Sequence, residues 1–406
     1  MATMPVGLAY VAAAVRQAGH KTEFLDLMSV PDVIIAIQES IAGFRPDAVG
    51  ISVRNIDDQS MQNPRFMLEQ VRPVIKECRA CTSVPIVLGG AAYSLLPEEV
   101  LEYLGADFGI IGDGEVAFPI LLDRLQNNQD TSTIPGAVVP GQKGIIEPMF
   151  PENMGLLPQP DEELWKNMDP HNPDLWVPVQ SRRGCPNDCS YCATFRIQGR
   201  KIRSRPPLSV VKHIAHVARY GFRKFYFVDN SFNIPENYAL ELCQHLRALN
   251  PKVSWRCILY PQHVKEDLVR QMAEAGCIEV SLGFESGCTR ILREMNKRFG
   301  PEEVRQISEF LAAYNIRRIG FLLLGGPGET RDSVEESLAF AESLHLDQLR
   351  ITVGIRIYAG TPLAQRAQED DLIAPDDNLL LPRFYLSPEL VSWIHQRVTP
   401  GLITPL

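Results

Sequence analysis

Three cysteines stand in one short run, Cys185-Pro-Asn-Asp-Cys189-Ser-Tyr-Cys192. Thiolates hold iron–sulfur clusters, and a cubane with only three protein thiolates keeps one iron open for a small ligand. The C-x3-C-x2-C spacing lets a single loop wrap three corners of a [4Fe–4S] cube. Gly184 and Pro186 suit the tight turn such a loop needs. The same residues could form a zinc site short of one ligand, or a chance grouping. The Arg183-Gly184-Cys185-Pro186 lead-in, and the strand–helix pattern that follows, favour the cluster.

Three thiols need a scaffold, and the chain offers two alternating blocks. In residues 1–125 a helical pattern at Leu8–Ala18 leads to strand-like runs at Lys21–Asp26, Ala48–Val53, Pro85–Gly89 and Phe108–Ile111, with helices between. Short apolar strands separated by helices imply a doubly wound parallel sheet, whose ligands sit at the carboxyl ends of the strands. Small residues fall there: Ser52, Gly89-Gly90 and Gly112. Residues 126–170 read as a linker, rich in proline and without periodicity, that lies partly across the interface. From 171 to 365 six strand–helix units follow, with strands near Trp176–Gln180, Lys224–Asp229, Val253–Leu259, Ile278–Phe284, Arg317–Leu324 and Leu349–Ile357. Six units fit a partial (β/α)6 barrel of the TIM type, open on one side, with active residues at the strand ends. The C-terminal extension, 366–406, is expected to cap the open side.

Composition narrows the function classes. The 406 residues are 45% hydrophobic and 22% charged, as in an ordinary globular protein. No apolar stretch is long enough to span a bilayer, and the start has no basic signal region. Nine cysteines without such a signal imply reduced thiols and a cytoplasmic location. The net charge of −9 argues against nucleic acid as a bulk partner, although Arg196, Arg200, Lys201, Arg203 and Arg205 form a local basic run. Cys78 and Cys81 form a lone C-x-x-C with no second pair nearby, and Cys243, Cys257, Cys277 and Cys288 read as small buried hydrophobes.

The cysteine run, with Tyr191 before its last member, resembles the signature of the radical S-adenosylmethionine (SAM) enzymes. Asp229-Asn230, Gly283-Phe-Glu285-Ser286-Gly287, Met295-Asn296-Lys297, Gly325-Gly326-Pro327-Gly328-Glu329 and Arg356–Pro362 resemble that family's elements in order and spacing over almost all of 175–365. Upstream, Pro5-Val-Gly-Leu-Ala-Tyr10, Gly19-His20, Asp26, Pro46-Asp47, Gly50-Ile-Ser52, Gly89-Gly90 and Gly112-Asp-Gly-Glu115 resemble the cobalamin-binding domain that precedes many such barrels. Arg54 stands where that family usually has leucine, and the motif that supplies a histidine to cobalt is absent. The family also begins with a strand before Pro-x-Gly-Leu, so either the start site is wrong or the domain lacks that strand; the expected α/β fold is a doubly wound, Rossmann-like B12-binding domain followed by the barrel.

The resemblance implies roles. Cys185, Cys189 and Cys192 would hold the cluster, whose open iron is chelated by SAM. Glu285 and Ser286 would meet the ribose, Tyr191 and Gly325-Gly326 the adenine, Asp229 and Asn230 the methionyl amino group, and Arg203 or Lys201 the carboxylate. Ser52, Gly89, Gly90, Gly112 and Glu115 would contact cobalamin. It further implies cleavage of SAM to a 5′-deoxyadenosyl radical, a reductant such as flavodoxin or ferredoxin, a small-molecule substrate and, with a corrinoid above the barrel mouth, C-methylation of an unactivated carbon. The alternatives are a cyclase, dehydratase or rearrangement enzyme with a structural or absent corrinoid, and a non-catalytic iron–sulfur sensor. In a sensor, Glu285 and the glycine strand ends would have no reason to converge on the cysteines.

Overall fold

The structure is a computed structural model that describes residues 4–139 and 147–398. The remaining positions, which belong to the start of the N-terminal block, the linker and the end of the C-terminal extension, lie outside the described residues. Two parallel sheets organise the chain. In the first block, α1 (Val6–Gln17) and α2 (Val33–Phe44) precede β1 (Val49–Ser52), and α3 (Leu68–Cys81) leads to β2 (Ile86–Gly89). Helices α4 (Ala91–Leu95) and α5 (Pro97–Leu104) then lead to β3 (Phe108–Ile110), followed by α6 (Gly114–Gln126) and β4 (Ala137–Val138). The sheet order is β1-β2-β3-β4, parallel except for β4, which pairs antiparallel with β3. Part of the stretch expected as linker is therefore a sheet edge.

The strand expected at Lys21–Asp26 is not formed; this segment runs as unpaired coil. Its pattern carries the β-propensity, but a strand exists only through a hydrogen-bonded neighbour. Among the described residues β1 is the sheet edge on that side, and no strand lies beyond it to receive the segment.

The second block opens with β5 (Val177–Val179) and a small ladder, β6 (Arg182–Arg183) with β7 (Arg203–Ser204), that encloses α7 (Thr194–Gln198). The alternation continues through α8 (Pro207–Ala218), β8 (Lys224–Phe227), α9 (Glu236–Arg247), β9 (Ser254–Leu259), α10 (Glu266–Glu274) and β10 (Cys277–Glu285). It closes with α11 (Thr289–Glu294), α12 (Pro301–Ala313), β11 (Arg317–Leu324), α13 (Arg331–Ser343) and β12 (Gln348–Val353). The six long strands form one parallel sheet in chain order, β5-β8-β9-β10-β11-β12, with two edges rather than a closed ring. Helices α5, α8 and α12 each begin on proline, at the one turn where a missing N–H leaves no hydrogen bond unmade.

Beyond β12, Gly354 takes φ +78° and turns the chain into β13 (Ile355–Arg356), which pairs antiparallel with β14 (Phe384–Tyr385) after α14 (Pro362–Glu369). The C-terminal segment packs Leu386, Leu390, Ile394 and Val398 into the barrel core, and Ser387 donates its N–H to the Gly325 carbonyl. One apolar core fills the barrel and takes in Met4 and Ala9 from the N-terminal segment and α1; a second lies within the first block and takes in Ala193 from the cysteine segment. The two blocks share side chains across their boundary.

Candidate active site

The β6–β7 ladder sets the site. Arg183 pairs with Arg203, and between them the chain carries all three cysteines. Gly184, at φ +92°, starts the loop; a side chain there would collide with the Lys201 carbonyl. Cys185 donates its N–H to the Gly199 carbonyl and Cys192 to the Cys189 carbonyl. From the other side, the turn after α11 holds the loop: Ser190 N–H binds the Met295 carbonyl, Asn296 Nδ2 the Asp188 carbonyl, and Arg298 the Asp188 carboxylate. The three thiols are free and partly exposed. Burial pushes Cys185 and Cys189 above their ordinary range, and the Lys297 charge is the largest influence lowering Cys189.

No three His, Cys, Asp or Glu side chains among the described residues converge as around a single metal ion. The cysteines nevertheless lie within electrostatic reach of one another. In a cubane each thiolate binds its own iron, so the three thiols need not meet at one point. The donor set fits three irons of a [4Fe–4S] cluster and leaves a fourth for another ligand.

Beside the loop, three expected or neighbouring residues converge. Tyr191 donates its hydroxyl to Glu285 Oε1 at 3.1 Å, and Lys297 Nζ donates to the Tyr191 hydroxyl at 2.9 Å and to Glu285 Oε1 at 3.3 Å. Glu285 sits at φ +62°, where the register of β10 against β11 slips. A non-glycine residue in that region is strained, and the strain coincides with the carboxylate that faces the cysteine loop. The Lys297 side chain is 4% exposed and lies over the Tyr191, Tyr260 and Phe299 rings. Burial lowers its pKa, but Tyr191, Glu285 and Cys189 outweigh burial and hold it charged.

Other expected residues are turned elsewhere. Asp229 accepts from Ser181 N at 2.8 Å, Arg182 N at 3.0 Å, Arg182 Nε at 3.1 Å and the Ser181 hydroxyl. Those bonds occupy its four lone-pair directions, so it brackets β5 to β8 and leaves no acceptor for an ammonium group. Asn230 does reach the site, donating to the Gly184 carbonyl at 3.2 Å and to Gln198 at 2.7 Å. Ser286 is fully buried, bonded to the Ser337 hydroxyl and the Cys288 N–H, and it fastens the turn to α13. The N–H groups of Gly325 and Gly326 both point at Glu329 Oε2. Their carbonyls accept from Ser387 and Glu329, so this pair is a closed turn. Arg203 is held by Asp113 and the Gln198 carbonyl, and Lys201 by Glu152 at the surface.

In the first block, Ser52, Gly89, Gly90 and Gly112 do share the carboxyl edge of β1–β3. Gly90 takes φ +100°, and a side chain there would meet the Val53 carbonyl and Ser52 Oγ. Gly112 N–H donates to Ser94 Oγ at 3.0 Å. Nearby, the Tyr93 hydroxyl is buried against Gly109 without a partner. An edge of small residues, with a cradle at Gly90 that a Cβ would fill, fits a ligand lying against the backbone. Glu115 also follows β3 at that end of the sheet, but it is buried and gripped by both Nη atoms of Arg183, so its carboxylate is engaged by the hairpin.

Lys297 is the functional candidate that residue patterns alone passed over. A lysine after a helix reads as a solvated surface charge, and only its place in Met295-Asn296-Lys297 marks it. The C-x-x-C pair carries the opposite features of a reactive site, since burial pushes Cys78 up to about 11 and Cys81 bonds to Glu77.

Comparison with known proteins matches the same two blocks. Residues 179–341 match the radical SAM superfamily, and residues 2–122 match the B12 binding domain. The chain is a radical SAM protein of the branch with an N-terminal B12-binding domain. An uncharacterized methyltransferase of Pyrococcus horikoshii is 27% identical over 91% of this chain and 79% of its own. The tryptophan 2-C-methyltransferase of Streptomyces laurentii is 20% identical over 90% and 72%. The structure of the radical SAM methyltransferase TsrM from Kitasatospora setae superposes with a TM-score of 0.85 at 20% identity, over 98% of this chain and 87% of that one. The domain pair brings a [4Fe–4S] cluster, SAM and cobalamin as cofactors of this radical SAM protein. No helix among the described residues is long and apolar enough to cross a membrane.

Proposed function

We propose that this radical SAM protein is a cobalamin-dependent methyltransferase acting at an unactivated carbon of a small molecule. One observation carries the reading: the Tyr191–Lys297–Glu285 cluster lies against the cysteine loop, and the loop's own hairpin is bonded to the carboxyl edge of the B12-binding sheet. When bound, the cluster supplies an electron for SAM cleavage, and the corrinoid supplies methyl transfer.

The chain's own residues bind and orient. Cys185, Cys189 and Cys192 hold the cluster. Lys297, a buried cation beside Cys189 and Glu285, would meet the SAM carboxylate, a role read from sequence onto Arg203 or Lys201. Glu285 would take the ribose hydroxyls and Tyr191 the adenine face. Asn230 lies beside Gly184 at the mouth of the loop and would reach the methionyl amino group. Ser52, Gly90 and Gly112 would line the corrinoid edge. The net charge of −9 supports a small-molecule substrate over nucleic acid, and the electron would come from a flavodoxin or ferredoxin in the cytoplasm.

A sensor reading is disfavoured by the convergence of Glu285 on the cysteine loop, although the Gly325-Gly326 turn does not converge with it. The test is anaerobic reconstitution with iron, sulfide and hydroxocobalamin, followed by methyl-labelled SAM and a reductant. Label on the corrinoid is expected. Absence of both cluster absorbance and SAM consumption would overturn the reading; SAM consumption without label transfer would favour the cyclase or rearrangement class.

A further inference from the structure

Four buried charges join the two blocks, and each is paired with another of the four. Asp113 and Glu115 follow β3 in the B12-binding sheet. Arg183 and Arg203 face each other across the ladder that encloses the cysteines. Arg183 Nη1 lies 3.0 Å from Glu115 Oε2 and 3.1 Å from Asp113 Oδ1, and Arg203 Nη1 contacts Asp113. All four side chains are 6% exposed or less. Arg183 Nε also donates to Gln180 Oε1 at 2.7 Å, and its guanidinium lies over the Tyr10 ring of α1. Arg203 further donates to the Pro151 carbonyl and stacks on Phe150.

The composition of this group matters. Two carboxylates meet two guanidinium groups, so the set is neutral, and bidentate pairing gives it direction as well as strength. Burial raises the Asp113 carboxyl, whereas Arg183 overcomes burial at Glu115 and holds it below its ordinary range. A buried pair adds little net stability over an apolar contact, but removing one partner leaves an uncompensated charge and is strongly destabilising there. The arrangement therefore enforces one geometry rather than strengthening the fold at large. What it fixes is specific: Arg183 is two residues from Cys185, and Arg203 closes the other end of the same loop.

We propose that Asp113 and Glu115 are positioning residues that lock the cysteine hairpin to the carboxyl edge of the B12-binding sheet, so the loop and that edge move as one body. Neither carboxylate binds a cofactor. The inference rests on the radical SAM reading for its purpose but not for its test.

Glu115→Gln keeps the shape and one hydrogen-bond acceptor and removes the charge; Asp113→Asn does the same at the second carboxylate. Hydrogen–deuterium exchange is compared across the full chain, both reconstituted and as purified. The expected result is exchange about tenfold faster or more in residues 184–202, with β8–β12 unchanged. In the reconstituted protein, the SAM-induced change in the cluster's electron paramagnetic resonance spectrum should broaden, while iron content holds. Arg183→Lys keeps the charge but loses the bidentate fork, and an intermediate effect is expected. Equal acceleration throughout the chain in both carboxylate variants would show a merely stabilising contact and overturn the proposal. So would no change in 184–202. A native protein that takes up no cluster would sink the radical SAM reading instead, and the exchange comparison on the purified chain would still decide this one.

Discussion

Lys297 Nζ lies 2.9 Å from the Tyr191 hydroxyl, one residue before Cys192 in the chain, and only 4% of the lysine side chain is exposed. The pair joins the cysteine loop to the end of β10 through Glu285, which accepts from both. A cation this deeply placed must be balanced, and here the Glu285 carboxylate balances it while the Tyr191 hydroxyl accepts a hydrogen bond from it.

Lys297→Met removes the cation and leaves the half-buried Glu285 without its counter-charge. The loss expected is about 3 kcal/mol of stability, together with at least a 100-fold fall in SAM consumption. Lys297→Arg should recover stability more than turnover, because the planar guanidinium does not fit an aromatic box shaped around an ammonium. Denaturant unfolding and SAM turnover on reconstituted protein separate the two effects. A Met variant with native turnover would refute the role.

Glu285 and Ser286 are adjacent in sequence yet opposed in the structure. Glu285→Gln should raise the KM for SAM about tenfold or more, since the carboxylate faces the cysteine loop. Ser286→Ala should leave that KM unmoved and cost about 1–2 kcal/mol, because it leaves the Ser337 hydroxyl and the Cys288 N–H with lost partners. Equal KM changes in the two variants would contradict the assignment.

This pair also shows how far the sequence could be read. Strand order and the six-strand count followed from periodicity, since alternating apolar runs can be satisfied in few ways. The polar residues at strand ends were not so readable. Asp229, Ser286 and Glu115 have the same types and spacing as ligand contacts, but each finds a protein partner that lies 47 or more residues away. Lys297 was hidden for the same reason, with its Tyr191 partner 106 residues distant. Lys21–Asp26 failed differently: its pattern was that of a strand, and the missing requirement was a neighbour.

Glu329 gives a pH dependence. Burial pushes its carboxyl from the ordinary 4.5 up to about 7, although the N–H groups of Gly325 and Gly326 oppose the rise, and its Oε1 has no partner. The folded state thus holds a proton that the unfolded chain releases. The stability tied to this group is fully present below pH 4.5 and declines as pH rises to about 7, by roughly 3 kcal/mol. Glu329→Gln cannot ionise and should lose that slope. Unfolding free energies of both proteins between pH 5 and about 8 check this; parallel curves would assign the titration elsewhere.

Gly90 offers a way to separate the two cofactors. Its φ of +100° disfavours any side chain, and a Cβ would lie 2.6 Å from the Val53 carbonyl oxygen, which is backbone and cannot swing aside. Gly90→Ala must therefore move the turn that follows β2, at the same edge as Ser52 and Gly112. The cysteine hairpin touches this region where α7 packs on α4, but its charged fastening runs through Asp113 and Glu115, beyond β3, so it should feel the shift less than the sheet edge does. Corrinoid affinity is expected to fall about tenfold or more, with iron content and cluster absorbance retained. Equilibrium dialysis with hydroxocobalamin, alongside iron analysis of the same sample, measures both quantities at once. Joint loss of cluster and corrinoid would mean the edge and the hairpin fail together. Native corrinoid affinity would place that cofactor away from the β2 turn.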